Sequence, residues 1–143
     1  MQRSIHCMAE YNAKLNSKGS EDRSPEPWEA QLRKGSLEMA ILASLWTDKK
    51  YGLEIVRALD GKSSLALAEG TLYLILNRLK NDGLVESEWV DAGTGHPRKY
   101  YWLTIVGKER LRAMARFWAQ FSADLSALLD PLSDRKEKRN VHQ

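Results

Sequence analysis

Residues 69–83, EGTLYLILNRLKNDG, contain the pattern that decides the fold. One set of side chains recurs with the 3.6-residue helical period and must be buried, namely Leu72, Ile75, Leu76 and Leu79. The other side of the same helix carries hydroxyls, amides and a cation, on Thr71, Tyr73, Asn77, Arg78 and Asn81. Such groups contact phosphates and base edges in nucleic-acid complexes. The helix is expected to stop at the Asn-Asp-Gly sequence of residues 81–83.

Two further helices are expected before this segment. In residues 36–52, SLEMAILASLWTDKKYG, the apolar residues Leu37, Ile41 and Leu45 lie on one face, and Ser36 after Gly35 is the predicted N-cap. In residues 53–61, LEIVRALDG, one face is again apolar. Gly61 is expected to end that second helix as a C′ glycine.

A β-hairpin is expected directly after the third helix. LVESEWV at 84–90 and YYWLT at 100–104 favour strands, and DAGTGHPRK at 91–99 supplies two glycines and a proline for the loop. Three short helices followed by a hairpin describe a winged helix-turn-helix. The expected fold class is therefore mainly α with a small β-hairpin.

A long helix is expected from Val106 to Leu129. Its apolar residues are spaced 3, 4, 3, 4 and 3 apart as in a heptad seam, and they are Leu111, Met114, Trp118, Phe121, Leu125 and Leu128. The apolar surface of a seam this long is larger than one small domain can cover, so we expect the seam to be the interface of a homodimer. Pro131 is expected to end the helix.

Four regions follow from these patterns. Residues 1–27 are polar and expected to be largely disordered, with a helix start near Pro27 and Trp28 left open, and residues 28–105 form the winged-helix domain. Residues 106–130 form the dimerisation helix, and residues 131–143 form a charged tail.

Composition limits the function. A single cysteine, Cys7, excludes an intrachain disulfide, and no apolar run approaches a membrane span of about 18 residues. The first residues lack the apolar core of a signal peptide, so a cytoplasmic protein is expected. The net charge of +3, from 22 Lys and Arg against 19 Asp and Glu, is compatible with nucleic acid but does not establish it.

Six residues are candidates for contact with double-stranded DNA. Thr71, Tyr73 and Asn77 lie in the first two turns of the third helix, where a recognition helix meets base edges. Arg98 and Lys99 follow Pro97 in the hairpin, and Tyr51 opens the second helix, where its hydroxyl would meet a phosphate. For each of them the alternative is structural: a packed tyrosine, or a polar side chain that is simply exposed.

No enzyme, metal or cofactor site is expected. The three histidines, His6, His96 and His142, lie in the two tails and the hairpin loop, and no cysteine or histidine spacing typical of zinc is present. No glycine-rich phosphate loop follows a strand.

Four segments together resemble the PadR family of bacterial transcriptional regulators. They are KGSLEMAILASL, KKYGLEIVRAL, EGTLYLILNRLKNDGLVESEW and GHPRKYYWLT, and the similarity covers about residues 33–129. The resemblance implies a winged-helix dimer that usually represses transcription. It also places Tyr51, Thr71 and Tyr73 at DNA-facing positions and Arg98 and Lys99 on the wing. The chain departs from the family at Ala68-Glu69, where a Ser-Pro step is common, and at Leu74, where a proline is common.

The resemblance also implies release from DNA by a small molecule, since some relatives hold flat aromatic compounds between the helices of the dimer. Phe117, Trp118 and Phe121 are the candidates for binding an aromatic effector. The alternative is that these rings are only interface core. The resulting hypothesis is a dimeric repressor. A winged-helix protein-interaction module and a ligand-sequestering protein without DNA binding are the alternatives.

Overall fold

The computed structural model describes residues 26–91, 93 and 95–140, and for Ser63 and residues 134–140 it describes the backbone only. The chain divides into two compact units, Met1–Leu32 and Arg33–Gln143. The expectation of disorder over residues 1–27 falls almost entirely outside the described residues, as do His6, Cys7 and His142.

Four α-helices and three β-strands make up the described part of the chain. In chain order they are α1 Pro27–Ser44, β1 Lys50–Tyr51, α2 Gly52–Asp60, α3 Glu69–Asn81, β2 Val85–Val90, β3 Arg98–Leu103 and α4 Ile105–Asn140. A short 3₁₀ turn at Ser63–Leu65 joins α2 to α3. The wing is the hairpin formed by β2, β3 and the loop between them. The predicted winged helix-turn-helix is confirmed.

Helix α1 begins earlier than the sequence pattern indicated. It starts at Pro27, and the prediction that Ser36 is its N-cap after a turn at Gly35 is wrong. Proline suits the first helical position because its fixed φ is already helical and it has no N–H that would need a partner. A single glycine inside a helix costs about 1 kcal/mol, which the rest of an 18-residue helix tolerates at Gly35.

The end of α2 also differs from the prediction. Gly61 follows the helix in a right-handed conformation, with φ −59° and ψ −14°, rather than in the left-handed conformation of a C′ glycine. Its N–H still bonds to the carbonyl of Arg57, so the last turn is closed without a left-handed residue. The chain then enters the 3₁₀ turn directly.

The sheet has three antiparallel strands in the order β1-β3-β2. The wing pairs Val85 with Leu103 and Trp89 with Lys99, and Lys50 and Tyr51 of β1 pair on the other side of β3. The sequence pattern did not indicate β1, because two residues are too few to show alternation. Its consequence is local: pairing with β3 ties the start of α2 to the base of the wing.

One hydrophobic core lies beneath the helices and the sheet. Its fully buried members come from α1, α2, α3 and the start of β2, and they are Ile41, Leu42, Ile55, Leu72, Leu76, Leu79, Leu84 and Val85. Burying a side chain of this kind is worth about 1.5–3 kcal/mol. Of the predicted inner face of α3, Leu72, Leu76 and Leu79 are buried and Ile75 is partly buried, while the opposite face stays exposed.

Thr104 fixes the start of α4 against the turn before the wing. Its Oγ1 accepts a hydrogen bond from the Gly107 N–H at 3.0 Å, as an N-cap does, and donates one to the Gly83 carbonyl at 2.6 Å. Gly107 has to be glycine, because a Cβ there would overlap the Leu84 carbonyl oxygen.

The predicted end of α4 at Pro131 is wrong, since the helix continues through the proline to Asn140. Proline removes one helical hydrogen bond, but residues 132–140 include several lysines, arginines and a glutamate with high helix propensity. Within the described ranges, no helix has the length and apolar content needed to cross a membrane.

Candidate nucleic-acid interface

A groove lies between α3 and the wing, and five of the six predicted DNA-contacting residues line it. They are Tyr51, Tyr73, Asn77, Arg98 and Lys99. The groove has a volume of about 470 Å³ and is open to solvent. Residues from the start of α2, the middle of α3 and the loop end of the wing therefore meet on one surface. We name this surface the α3–wing groove.

The sixth predicted residue, Thr71, is exposed on the first turn of α3 and does not line the groove. Four lining residues were not predicted to touch DNA: Gly52, Trp89, Pro97 and Tyr101. Trp89 is 64% exposed although it is a tryptophan. The register of the hairpin could have indicated that Trp89 lies in the groove, because Trp89 is paired with Lys99 across the wing.

The reading face of α3 is held in place from beneath and from one side. Leu72, Leu76 and Leu79 anchor the helix in the core. Arg78, at the edge of the outer face, lies 3.5 Å from Glu38 of α1 between Nη2 and Oε2. A half-exposed pair of this kind contributes little stability. It does direct the guanidinium toward α1, away from the position expected for a group that binds DNA.

Tyr73 packs against Gly52, and its hydroxyl points toward the first residue of its own helix. The hydroxyl donates a long hydrogen bond of 3.5 Å to Glu69 Oε1. Partial burial raises the pKa of the Tyr73 phenol above its ordinary value of 10.0, and the negative charge and hydrogen bond of Glu69 raise it further. The phenol is therefore neutral at physiological pH, and its single O–H would have to turn away from Glu69 to donate to a phosphate oxygen.

Both wing cations lie over aromatic rings, near the end of the wing that carries the loop. The Arg98 guanidinium carbon is 4.6 Å from the centre of the Tyr51 ring, which itself makes an edge contact with Tyr100. The Lys99 ammonium is 5.8 Å from the ring centres of both Trp89 and Tyr101. Cation–π contacts of this type restrict the side chains without neutralising them. Two positive charges are thus held at the mouth of the groove.

A second aromatic group lies on α4, well separated in sequence from the groove. Phe117 and Phe121 are stacked with ring centres 5.6 Å apart, and Trp118 lies 6.0 Å from Phe121. All three are exposed in the single chain. Of the predicted interface seam, Leu111 is buried in the chain's own core and Met114 packs against that core. The seam beyond Met114 is exposed at Trp118, Phe121, Leu125 and Leu128.

The fold and the groove define a class: a winged helix-turn-helix with an exposed polar reading helix, paired with a cationic wing. The model of the "Transcriptional regulator PadR-like family" matches residues 41–113, from the core of α1 to the first turns of α4. The chain belongs to the PadR family. Its members are DNA-binding transcriptional regulators, which confirms the prediction that the protein is not an enzyme.

Solved structures of the family are similar to this chain over nearly their whole length. A PadR-like transcription factor from Bacteroides fragilis is 37% identical, covers 72% of this chain and 99% of its own, and superposes with a TM-score of 0.60. A PadR family regulator from Eggerthella lenta DSM 2243 is 31% identical, covers 85% and 96%, and has a TM-score of 0.65. A PadR-like regulator from Bacillus cereus ATCC 14579 is 31% identical, with coverage of 69% and 96% and a TM-score of 0.63.

Proposed function

We propose that this PadR-family regulator is a repressor that occupies promoter DNA as a homodimer, in the cytoplasm where such DNA lies. Residues 28–105 bind DNA, and α4 from residue 106 onward pairs the two subunits. The observation that carries the proposal is the α3–wing groove, which brings Tyr51, Tyr73, Asn77, Arg98 and Lys99 together from three separate elements.

The chemistry of the groove divides into positioning and reading. Arg98, Lys99 and the tyrosine hydroxyls supply donors to phosphates, which fix the register of a protein on a duplex. Asn77 offers an amide to base edges, and asparagine pairs with adenine through two hydrogen bonds worth about 1–3 kcal/mol of discrimination. Thr71 adds a hydroxyl on the first turn of α3, on its exposed side.

The exposed seam of α4 supports the homodimer. Trp118, Phe121 and Leu125 are each at least 40% exposed, although they follow a heptad spacing over about two turns. A second copy of α4 would cover them, and a two-fold dimer would present two reading helices. Dimeric helix-turn-helix proteins bind half-sites about 34 Å apart, one turn of the duplex.

A gel-shift titration with the DNA upstream of the gene tests the proposal. The parent protein should shift this DNA with an affinity that falls steeply between about 50 and 200 mM salt. Changing Arg98 and Lys99 to Ala should weaken binding on all sequences and lower the salt slope by about one for each phosphate that is no longer neutralised. Asn77→Ala should instead relax the preference at particular base pairs.

The matched control for the charge change is Arg110→Ala. Arg110 is exposed on α4 and does not line the groove, so its removal should leave the salt slope close to that of the parent. Binding by the Arg98 and Lys99 variants that equals binding by the parent would contradict the site. Repression itself is tested with a reporter gene behind the same DNA, where expression should rise when the protein is removed.

The aromatic cluster of α4 supports a regulated form of this function. Phe117, Trp118 and Phe121 present stacked and tilted rings that a planar aromatic effector could enter, and release of DNA would require the effector to favour one dimer geometry over another. Quenching of tryptophan fluorescence by planar aromatic compounds, abolished in Trp118→Phe, is the expected result. If no compound quenches the parent more than that variant, the rings serve the interface alone.

A further inference from the structure

Leu74 occupies the middle of the exposed face of α3, on the side away from the hydrophobic core. The side chains that anchor α3 belong to Leu72, Leu76 and Leu79. At 3.6 residues per turn, Leu74 projects nearly opposite to them. It is 73% exposed, so it neither enters the core nor packs under the wing.

The surroundings of Leu74 on the helix surface are those of a reading face. Gly70 lies one turn before it, and Asn77 lies one turn after it, next to the groove. A Cβ added at Gly70 would meet nothing within 4 Å, so the surface of α3 at this position is open and its backbone is not covered by a side chain. A duplex can approach the backbone of α3 closely there, because no side chain at position 70 stands in the way.

The major groove offers one apolar feature that such a leucine fits. Among the four bases only thymine exposes a C5-methyl group there, and apolar side chains discriminate thymine by contact with that methyl. Polar groups of the DNA backbone would gain nothing from a leucine. The exposed isobutyl group is therefore matched by chemistry to a base and not to a phosphate.

We propose that Leu74 is a specificity-determining residue that packs against the C5-methyl group of a thymine in each half-site. This inference rests on the proposed function, because it requires α3 to lie in the major groove. It assigns a base preference to a residue outside the lining of the α3–wing groove. It also explains how a leucine on the outer face of α3 is used, since its methyls become buried only in the complex.

Deoxyuridine provides the direct test, because it differs from thymidine only in lacking the C5-methyl group. A preferred duplex is first selected from a random pool with the parent protein, and its thymines are then replaced by deoxyuridine one position at a time. Burial of one methyl group predicts about a fourfold decrease in affinity for each half-site at one symmetric position. Replacing both copies should weaken binding by roughly fifteenfold.

A double-mutant cycle then assigns the thymine contact to Leu74. Leu74→Ala should bind the thymine duplex more weakly than the parent and should no longer distinguish thymine from uracil at that position. Leu74→Met, which keeps an apolar side chain of similar volume, should retain part of the discrimination, and the nearly isosteric Leu74→Asn should lose it. Because Leu74 is exposed, none of these changes should alter the folded structure.

Asn77→Ala is the matched control on the same helix, and it should keep the distinction between thymine and uracil while losing preference elsewhere. If the parent binds the selected duplex but no thymine position is sensitive to deoxyuridine, the inference about Leu74 is overturned and the proposed function stands. If Leu74→Ala still distinguishes thymine from uracil, the methyl is read by another residue. If the parent selects no duplex at all, the proposed function itself fails.

Discussion

Gly52 and Tyr73 are in direct contact across the α3–wing groove, the first residue of α2 lying against the phenol ring of α3. A Cβ at position 52 would lie 2.5 Å from Tyr73 Oη and 2.8 Å from its Cζ. Glycine is thus the residue that allows the ring to lie where it does. The contact joins two elements that each carry part of the proposed interface, so the position of the Tyr73 hydroxyl depends on the absence of a side chain 21 residues earlier.

Gly52→Ala should weaken DNA binding with little effect on folding. The added methyl must displace the outer end of Tyr73, which is free to rotate toward solvent, so the core is not overpacked. Removal of one hydrogen bond to a charged phosphate predicts an affinity about tenfold lower. Gel-shift titration measures the affinity, and denaturant unfolding measures the stability.

Gly35→Ala is the control for that substitution. Gly35 lies inside α1 with nothing within 4 Å of an added Cβ, so alanine should stabilise the helix by up to about 1 kcal/mol and leave DNA binding unchanged. An equal decrease of affinity in the two variants would show that the Gly52–Tyr73 contact has no special role.

Stability should fall at alkaline pH. Burial raises the pKa of Tyr73 and of Tyr101 in the folded state, with further increases from the Glu69 charge on Tyr73 and from Tyr73 on Tyr101. The stabilisation is therefore complete below the ordinary tyrosine pKa of about 10 and is lost as the pH rises through the higher folded values. The midpoint of urea unfolding, followed from about pH 8 to pH 11, should decrease.

The variants Tyr73→Phe and Tyr101→Phe should each flatten this alkaline decrease, since phenylalanine does not ionise. Glu69→Gln should lower the pKa of Tyr73 toward its ordinary value. An alkaline profile that is the same in the parent and in the double phenylalanine variant would show that other groups govern it.

Thr104→Ala should destabilise the protein by about 0.5–2 kcal/mol, the range found for losing an N-cap side chain. Its hydroxyl is the acceptor for the Gly107 N–H and the donor to the Gly83 carbonyl, and alanine removes both bonds. Thr104→Ser keeps the hydroxyl and should unfold close to the parent in urea. If the serine variant is as unstable as the alanine variant, the methyl group and not the hydroxyl carries the effect.

Phe121→Glu should convert the proposed dimer to a monomer, because it places a charge in the exposed seam of α4. Ala123→Glu adds the same charge to the same helix on the side opposite the seam and should leave the dimer intact. Sedimentation velocity distinguishes the two species. A parent protein that sediments as a monomer would refute the dimer, as would a dimer that persists in Phe121→Glu.

The elements with strong periodicity were predictable from the sequence. The inner face of α3 and the wing were predicted because four leucines and isoleucines keep a helical period, and because two glycines and a proline separate two β-favouring runs. The N-cap predicted at Ser36 was wrong, since Gly35 and Ser36 have the form of a helix start while lying inside a helix that begins at Pro27, where a start had been left open. The end of α4 was predicted wrongly because Pro131 has the form of a helix stop while lying inside the helix.

The side-chain contacts around the α3–wing groove were harder to predict than the helices and strands that form it. The cations Arg98 and Lys99 were selected by charge and position, but the aromatic partner of Arg98, Tyr51, lies on β1, a strand of two residues. Gly52 carries no side chain, so only the three-dimensional position of Tyr73 gives it a role. Hydrophobic periodicity reveals helices and strands, which are local, but a contact between residues far apart in the chain produces no periodic pattern in the sequence.

The hydroxyl of Thr104 has a mechanical consequence. It links the turn that ends the recognition helix to the first turn of α4, while the Thr104 N–H bonds to the Leu84 carbonyl at 3.1 Å. The end of α3, the base of the wing and the start of α4 are thereby joined by hydrogen bonds at a single junction. In the proposed dimer, a tilt of one α4 against its partner would therefore carry the wing and α3 of the same subunit with it, relative to the bound duplex.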